Sequence, residues 1–392
     1  MEDVVISSAV RTPMGGFQGD LDSFSASELG GKAIQGAMEK ARITRVDEVI
    51  MGNVLGAGQG QAPARQASFA AGLDETVPAT TLNKMCGSGM KAAMIGFDQI
   101  KLGQSQTLAV GGMESMSNAP YLLPKMRSGA RLGHGKVVDH MFLDGLEDAY
   151  EPGRLMGTFA EDCAEKYQFT REAQDEYALT SLENSLSAQK VGAFENEIRA
   201  VEVTDRKGAK SLVLFDEQPQ NARPDKIPYL KPAFRKNGTV TPANSSSISD
   251  GAAALILASK SYSENEGLPI RARILGHSSY AHAPGLFTTA PVYAVKNLLK
   301  SIDWSIEMVD LWEVNEAFAV VPMAFMQELD ISRKILNVHG GACAIGHPIG
   351  ASGARIMVTL LNALERYDLK RGVAAVCIGG GEGTAIAIER AQ

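Results

Sequence analysis

Thr81-Leu82-Asn83-Lys84-Met85-Cys86-Gly87-Ser88-Gly89-Met90 sets a cysteine at the junction between an extended segment and a helix. After it, Met90, Ala93, Met94, Phe97 and Ile100 fall on one helical face of 88–101, and Gly103 marks the stop. Cys86 therefore lies just ahead of a helix N-terminus, where free backbone N–H groups and the helix dipole favour negative charge. The expectation is a thiol with a lowered pKa. Gly87 and Gly89 remove side-chain bulk around the sulfur, so a substrate could come close to the backbone. A lone cysteine is commonly buried and inert, so the rest of the chain decides between the two readings.

Outward from this stretch, strands and helices alternate. Val4-Val5-Ile6 reads as a buried strand, 25–40 as a helix, 46–54 as a strand region, 62–71 as a helix, and 107–110 as a strand ending at Gly111-Gly112. The alternation stops from 118 to 247. That region reads as an insertion holding loop-like 121–148, helices at 158–168 and 170–191, and an irregular Pro-rich 219–232. Thr170 is placed to cap the second helix. Long inserted segments usually serve binding or assembly. Asp250 resumes the core with a fully apolar strand, and a second series begins near Arg273: a helix at 291–301, a strand at 309–314, a helix at 317–329 and a glycine-rich 338–353.

The chain repeats itself. Ser88-Gly89 opens a helix leading to Leu108-Ala109-Val110-Gly111-Gly112. Ser352-Gly353 opens another, leading to Ala374-Ala375-Val376-Cys377-Ile378-Gly379-Gly380. The expected fold class is α/β with two duplicated halves. Residues 1–117 with 248–268 form the N-terminal half, 118–247 the insertion, and 269–392 the C-terminal half. Equivalent loops would meet between the halves, so a site there could draw residues from both.

Composition narrows the function. The chain of 392 residues is long enough for more than one core. Its net charge of −7 without an extended basic stripe argues against nucleic acid as a partner. The four cysteines, Cys86, Cys163, Cys343 and Cys377, show no C-x-x-C pairing, which argues against structural zinc and a disulfide framework and fits a reducing compartment. No apolar run approaches the roughly 20 residues that span a bilayer. The first strand leaves no room for a targeting peptide, and the C-terminal residues match no peroxisomal address. A cytoplasmic location is expected.

Three further stretches join the cysteine: Glu313-Val314-Asn315-Glu316-Ala317-Phe318, the loop 340–350 with His347 as its one bulky polar residue, and Cys377 ahead of Gly379-Gly380-Gly381. Each alone is weak. Together N-K-M-C-G-S-G-M-K at 83–91, G-G-M-E-S-M-S at 111–117, N-E-A-F at 315–318, H-G-G-A-C-A-I-G-H-P-I-G-A-S-G-A-R at 339–355 and C-I-G-G-G-E-G at 377–383 resemble the thiolase family, along essentially the whole chain.

The resemblance implies the thiolase fold, with duplicated halves layered α-β-α-β-α and the insertion acting as a loop domain for CoA binding and oligomer contacts. It implies that Cys86 takes the acyl group as a thioester, that His347 is its base, and that Cys377 is the second acid/base. Asn315 and His347 would form one oxyanion hole, Asn315 through a water, and the N–H groups of Cys86 and Gly379 the other. Met156, Phe234, Ser246 and Phe318 match positions lining the pantetheine, and Arg223 is a candidate for the nucleotide end. Leu155 stands where short-chain synthetic members often carry His, Phe287 where many carry Met, and Glu382 and Cys343 where apolar residues are commoner. The implied reaction joins two acetyl-CoA into acetoacetyl-CoA and CoA, reversibly, with CoA as substrate and no metal or prosthetic group. A broad-chain 3-ketoacyl-CoA thiolase is the alternative. A hydroxymethylglutaryl-type synthase and a non-catalytic acyl-CoA binding subunit fit the Cys86, Asn315, His347, Cys377 set less well. No membrane partner is implied, and the family suggests a homotetramer built as a dimer of dimers.

Overall fold

The computed structural model describes residues 2–205 and 207–391. Strands β1 (Val4–Arg11), β2 (Glu48–Gly52), β3 (Ala79–Leu82), β4 (Thr107–Ser115), β5 (Ser249–Ser259), β6 (Ala272–Ala281), β7 (Leu311–Val314), β8 (Arg371–Ile378) and β9 (Glu382–Arg390) pair in the order β7-β8-β9-β6-β1-β5-β4-β2-β3. The two-residue strand Gly15–Gly16 lies beside β5 and makes the sheet ten-stranded.

The duplication is explicit in the pairing. In the first half β2 runs parallel to β3 and β4, β4 is antiparallel to β5, and β5 to β1. In the second, β7 runs parallel to β8, β8 is antiparallel to β9, and β9 to β6. Leu336, bridged in parallel to Trp312, takes the place of β3. The halves join where β1 pairs with β6, Val4 opposite Ile274 and Ile6 opposite Ala272.

Helices α1 (Ala26–Ala41), α2 (Pro63–Ala70) and α3 (Ser88–Lys101) of the first half have counterparts in α6 (Ala290–Ser301), α7 (Val320–Leu329) and α8 (Ile349–Arg366), while α4 (Met156–Tyr167) and α5 (Arg171–Lys190) belong to the insertion. Three apolar clusters set the layers. Met90 and Phe97 of α3 and Ile356 and Leu360 of α8 pack between Val110 and Leu255 on one side and Val376 and Ile386 on the other. Leu29, Ile34 and Ala67 cover Ala109, Ala254 and Ile256 from outside. Val295, Leu298 and Phe325 cover Val373, Ala375 and Ala385. The order is helix, sheet, helix, sheet, helix, as the resemblance implies. Every residue of β5 is buried: Ala253, Leu255 and Leu257 face the middle helices, and Ala252, Ala254 and Ile256 face outward. Two buried faces produce a continuous apolar run rather than alternation, and each such Leu or Ile contributes roughly 1.5–3 kcal/mol.

Two of the boundaries that differ from the sequence reading bear on the site. β4 does not end at Gly111-Gly112 but continues to Ser115. A Cβ at Gly112 would lie 2.0 Å from the Gly350 carbonyl oxygen, so the glycine lets the start of α8 rest on an unbroken strand. Helix α7 starts at Val320, not Ala317. The Ala317 carbonyl is taken by the Ser246 N–H at 3.0 Å, and the Ala319 N–H by the Asn244 carbonyl at 2.9 Å, so this backbone bonds the insertion instead of itself.

The insertion replaces a tight turn. In the second half β8 and β9 are joined by Gly379–Gly381, whereas β4 and β5 are separated by α4, α5 and the loops around them. Thr170 caps α5 as expected, its hydroxyl accepting the Ala173 N–H at 3.2 Å. Among the described residues no helix is long and apolar enough to cross a membrane.

Candidate active site

Cys86 sits in a loop between β3 and α3 that its neighbours hold tightly. The Ser88 hydroxyl accepts the Lys84 N–H at 2.8 Å and donates to the Met85 carbonyl at 2.6 Å. Asn83 Oδ1 accepts the Met85 N–H at 2.9 Å. Met85 is thereby kept left-handed, with φ of 47°, a conformation that costs a non-glycine residue about 1–2 kcal/mol. Gly87 makes room for the Ile378 side chain, whose Cδ1 a Cβ there would meet at 2.4 Å. That contact seats the end of β8 on the cysteine loop. The backbone N–H groups of Gly379 and of Cys86 itself then point at the Cys86 sulfur.

The expectation of a lowered thiol pKa is wrong. Burial pushes the Cys86 thiol up to about 11, against the pull of those two N–H groups. The residue packs, partly buried, against the cluster of Val54, Leu55, Met116, Met141 and Ile349, and loss of water outweighs the helix N-terminus. Cys377, the second-last residue of β8, is 1% exposed. Burial raises its thiol well above the usual range, and the nearby Cys86 sulfur raises it further. The structure thus brings together the two sulfurs that come from opposite halves.

His347 lies ahead of α8, whose first turn rests on the start of α3: a Cβ at Gly89 would be 3.1 Å from the Gly350 carbonyl oxygen. Its backbone N–H is bound by the Ser247 carbonyl at 3.1 Å and Ser249 Oγ at 3.2 Å. Nδ1 is 2.5 Å from Ser352 Oγ, and Nε2 has no protein partner. Burial, and then the charge of Arg355, lower its pKa to about 3. Arg355 is itself held by buried Glu313 at 3.0 Å. His347 is therefore neutral at pH 7. Asn315 is fully buried, and both its amide nitrogen and its amide oxygen lack protein partners. An amide in that state has its whole hydrogen-bonding capacity free for a water or a substrate.

Four of the five candidate CoA residues lie in one chain of contacts. A Cβ at Gly379 would be 3.5 Å from Met156 Sδ. Gly157, next to Met156, carries the Phe234 ring, which a Cβ there would meet at 2.3 Å. Phe234 meets Phe318 edge-on at 6.0 Å between ring centres, and Phe318 meets Phe287 at 6.4 Å. Ser246 is bonded through N and Oγ to the Ala317 carbonyl beside Phe318. Arg223 is 66% exposed and paired with Asp225 at 3.5 Å.

Around the site, Glu114 and Glu316 were not picked out from sequence, whereas Cys343 and Glu382 were noted there without a role. Buried Glu114 accepts from Asn53 Nδ2 at 2.8 Å, from the Val54 and Leu55 N–H groups at 3.0 Å and from the Gly350 N–H at 2.8 Å. It ties the loop after β2 to the start of α8, and burial raises its pKa to about 7. Glu316 accepts from Tyr177 at 2.8 Å, Ser181 at 2.7 Å, Asn337 at 2.7 Å and the Cys343 N–H at 3.1 Å, locking α5 to the segment bearing Asn315. Burial, followed by Glu316, holds the Cys343 thiol well above its ordinary range. Glu382 pairs with Lys84, bridging the cysteine loop to the glycine turn. For Ser352 a signal did exist, because it repeats the position of Ser88.

Two family models match nearly end to end: the thiolase N-terminal domain over residues 4–261 and the thiolase C-terminal domain over 268–390. The chain belongs to the thiolase family. This thiolase is 47% identical over 393 residues to an acetyl-CoA acetyltransferase of Pseudomonas aeruginosa, covering 100% of both chains. A crystal structure of an Ascaris suum thiolase in complex with coenzyme A superposes with a TM-score of 0.93 at 42% identity, covering 99% of this chain and 100% of that one. The acetyl-CoA acetyltransferase of Bacillus anthracis superposes with a TM-score of 0.96 at 40% identity, covering 100% and 99%.

Proposed function

We propose that this thiolase joins two molecules of acetyl-CoA into acetoacetyl-CoA and free CoA, and runs the reverse thiolysis, through an acetyl group on Cys86. One observation carries the reading: Cys86, partly exposed, and Cys377, buried, lie near each other across the halves, with the N–H groups of Gly379 and Cys86 at the Cys86 sulfur. The relatives' shared activity as acetyl-CoA acetyltransferases supports it.

The Cys86 thiol gives its proton to Nε2 of His347 as the sulfur attacks the thioester carbonyl of the first acetyl-CoA. Both groups are neutral at rest, because burial opposes the thiolate and the imidazolium alike. The ion pair therefore forms only as charge passes to the substrate oxygen. The N–H groups of Cys86 and Gly379 stabilise that oxygen by roughly 3–4 kcal/mol per donor. The CoA thiolate leaves with the proton of Cys377. The resulting Cys377 thiolate takes an α-proton from the second acetyl-CoA, and the carbanion attacks acetyl-Cys86. Collapse expels the Cys86 thiolate, which recovers its proton from His347. Asn315, with its amide unpartnered, holds the oxygen of the second substrate through a water, beside Nε2 of His347.

The apolar residues against Cys86, Leu55, Met116, Met141 and Ile349, support a small acyl group. Met156, Phe234, Ser246 and Phe318 line the pantetheine, and Arg223 meets the nucleotide end. Residues 118–247 act as the loop domain. Exposed Tyr121, Leu123, Met126, Leu132 and Val137 on it support assembly into a homotetramer, a dimer of dimers. Four unpaired cysteines support a cytoplasmic location.

Thiolysis kinetics test the substrate assignment. A kcat/KM for acetoacetyl-CoA at least 100-fold above that for 3-ketohexadecanoyl-CoA is expected, on the scale at which a closed pocket rejects added methylenes. Comparable values would favour a broad-chain enzyme.

A further inference from the structure

Ser88 and Ser352 occupy equivalent places in the repeat, each in the first turn of a middle helix and each buried to 1% exposure or less. Their hydrogen bonds are also equivalent. Ser88 Oγ donates back to the Met85 carbonyl at 2.6 Å and Ser352 Oγ to the Pro348 carbonyl at 2.9 Å. Each is then left to accept from a group in the loop before its helix. Ser88 accepts the Lys84 N–H at 2.8 Å. Ser352 meets His347 Nδ1 at 2.5 Å.

A hydroxyl has a single proton. With that proton on the Pro348 carbonyl, the bond to Nδ1 requires Nδ1–H as donor. A neutral imidazole bearing Nδ1–H presents a bare lone pair at Nε2, and Nε2 is the ring nitrogen without a protein partner. We propose that Ser352 is a positioning residue that fixes His347 as the Nδ1–H tautomer, while Ser88 holds the cysteine loop by the same device in the other half. The duplicated hydroxyl thus orients the nucleophile once and its base once. This rests on the reading of His347 as the base for Cys86.

The test uses the full-length enzyme labelled with 15N-histidine. Solid-state NMR reads which nitrogen of His347 is protonated, and His347→Asn identifies its signals by their loss. In the wild type Nδ1 is protonated and Nε2 is not. Ser352→Ala is expected to move the proton to Nε2, to slow iodoacetamide alkylation of Cys86 and kcat by about 10- to 100-fold, and to leave KM within about twofold. Ser352→Thr, which keeps the hydroxyl, is expected to retain Nδ1–H. Ser88→Ala is expected to slow alkylation without moving the His347 proton. A folded Ser352→Ala enzyme with the wild-type tautomer or wild-type kcat overturns the proposal, as does a Ser88→Ala enzyme that shifts the proton in the same way. If His347→Asn leaves alkylation and kcat at wild-type levels, the base assignment itself fails. If His347→Asn is inactive while Ser352→Ala behaves as wild type, only the role of Ser352 falls.

Discussion

Gly89 of α3 and Gly353 of α8 each leave a side chain's space to the residue that follows the other: a Cβ on Gly89 would lie 2.7 Å from the Ala354 nitrogen, and one on Gly353 would lie 2.5 Å from the Met90 nitrogen. Both obstacles are backbone atoms that cannot rotate aside. The two helices therefore cross at contact distance one residue beyond Ser88 and Ser352, and that crossing sets the separation of the Cys86 and His347 loops. Gly353→Ala is expected to destabilise the fold by about 1–3 kcal/mol through overpacking. Gly135→Ala, where a Cβ would meet nothing within 4 Å, is expected to stay within about 0.5 kcal/mol. Urea midpoints of the two variants make the comparison.

Alkylation reports the resting state of the nucleophile. With the thiol pushed up to about 11, the thiolate is a minor species at pH 7, and in His347→Asn, which lacks the base, the rate of Cys86 modification by iodoacetamide should rise about tenfold per pH unit from 7 to 9. Cys343 and Cys163, both raised by burial, should stay unmodified on the same timescale. Peptide mass mapping separates the sites. A rate already level at pH 7 would mean a low-pKa thiolate and would reinstate the expectation drawn from the helix N-terminus.

His339 is 2% exposed and holds neither ring nitrogen in a hydrogen bond. It lies edge-on to Phe194 at 5.8 Å and against Tyr367 at 5.5 Å. Burial, then Arg366 and Arg11, lower its pKa to about 4 from 6.5. The unfolded chain thus binds a proton that the folded one refuses. Stability is present above the unfolded pKa and is lost as pH falls from about 6.5 to about 4, by about 3 kcal/mol in full. His339→Phe should remove that part of the acid lability while keeping the aromatic packing. Unfolding midpoints at pH 7 and pH 4.5 check it: the drop should be smaller in the variant, and an equal drop assigns the lability elsewhere.

The sequence revealed what is periodic and local. The helix over Ser88–Lys101 has its predicted bounds, and the repeated Ser-Gly openings foretold the duplicated halves that the strand pairing displays. Gly111-Gly112 reads as a strand end because glycine usually punctuates, whereas here it admits Gly350. The sign of the Cys86 shift was not legible, because desolvation depends on Val54, Met141 and Ile349 arriving from distant segments. The same holds for Glu114, whose donors come from β2's loop and from α8. The orphaned amide of Asn315 is likewise a property of the assembled site and not of its local sequence.

Intact-mass analysis of Cys377→Ala after incubation with acetyl-CoA, read beside acetoacetyl-CoA formation, tests most directly that two sulfurs from opposite halves share one reaction. The expected result is one acetyl adduct on Cys86, absent in Cys86→Ser, with condensation lowered at least about 100-fold. A Cys377→Ala enzyme that condenses at the wild-type rate, or a Cys86→Ser enzyme that still gains the acetyl group, contradicts the account.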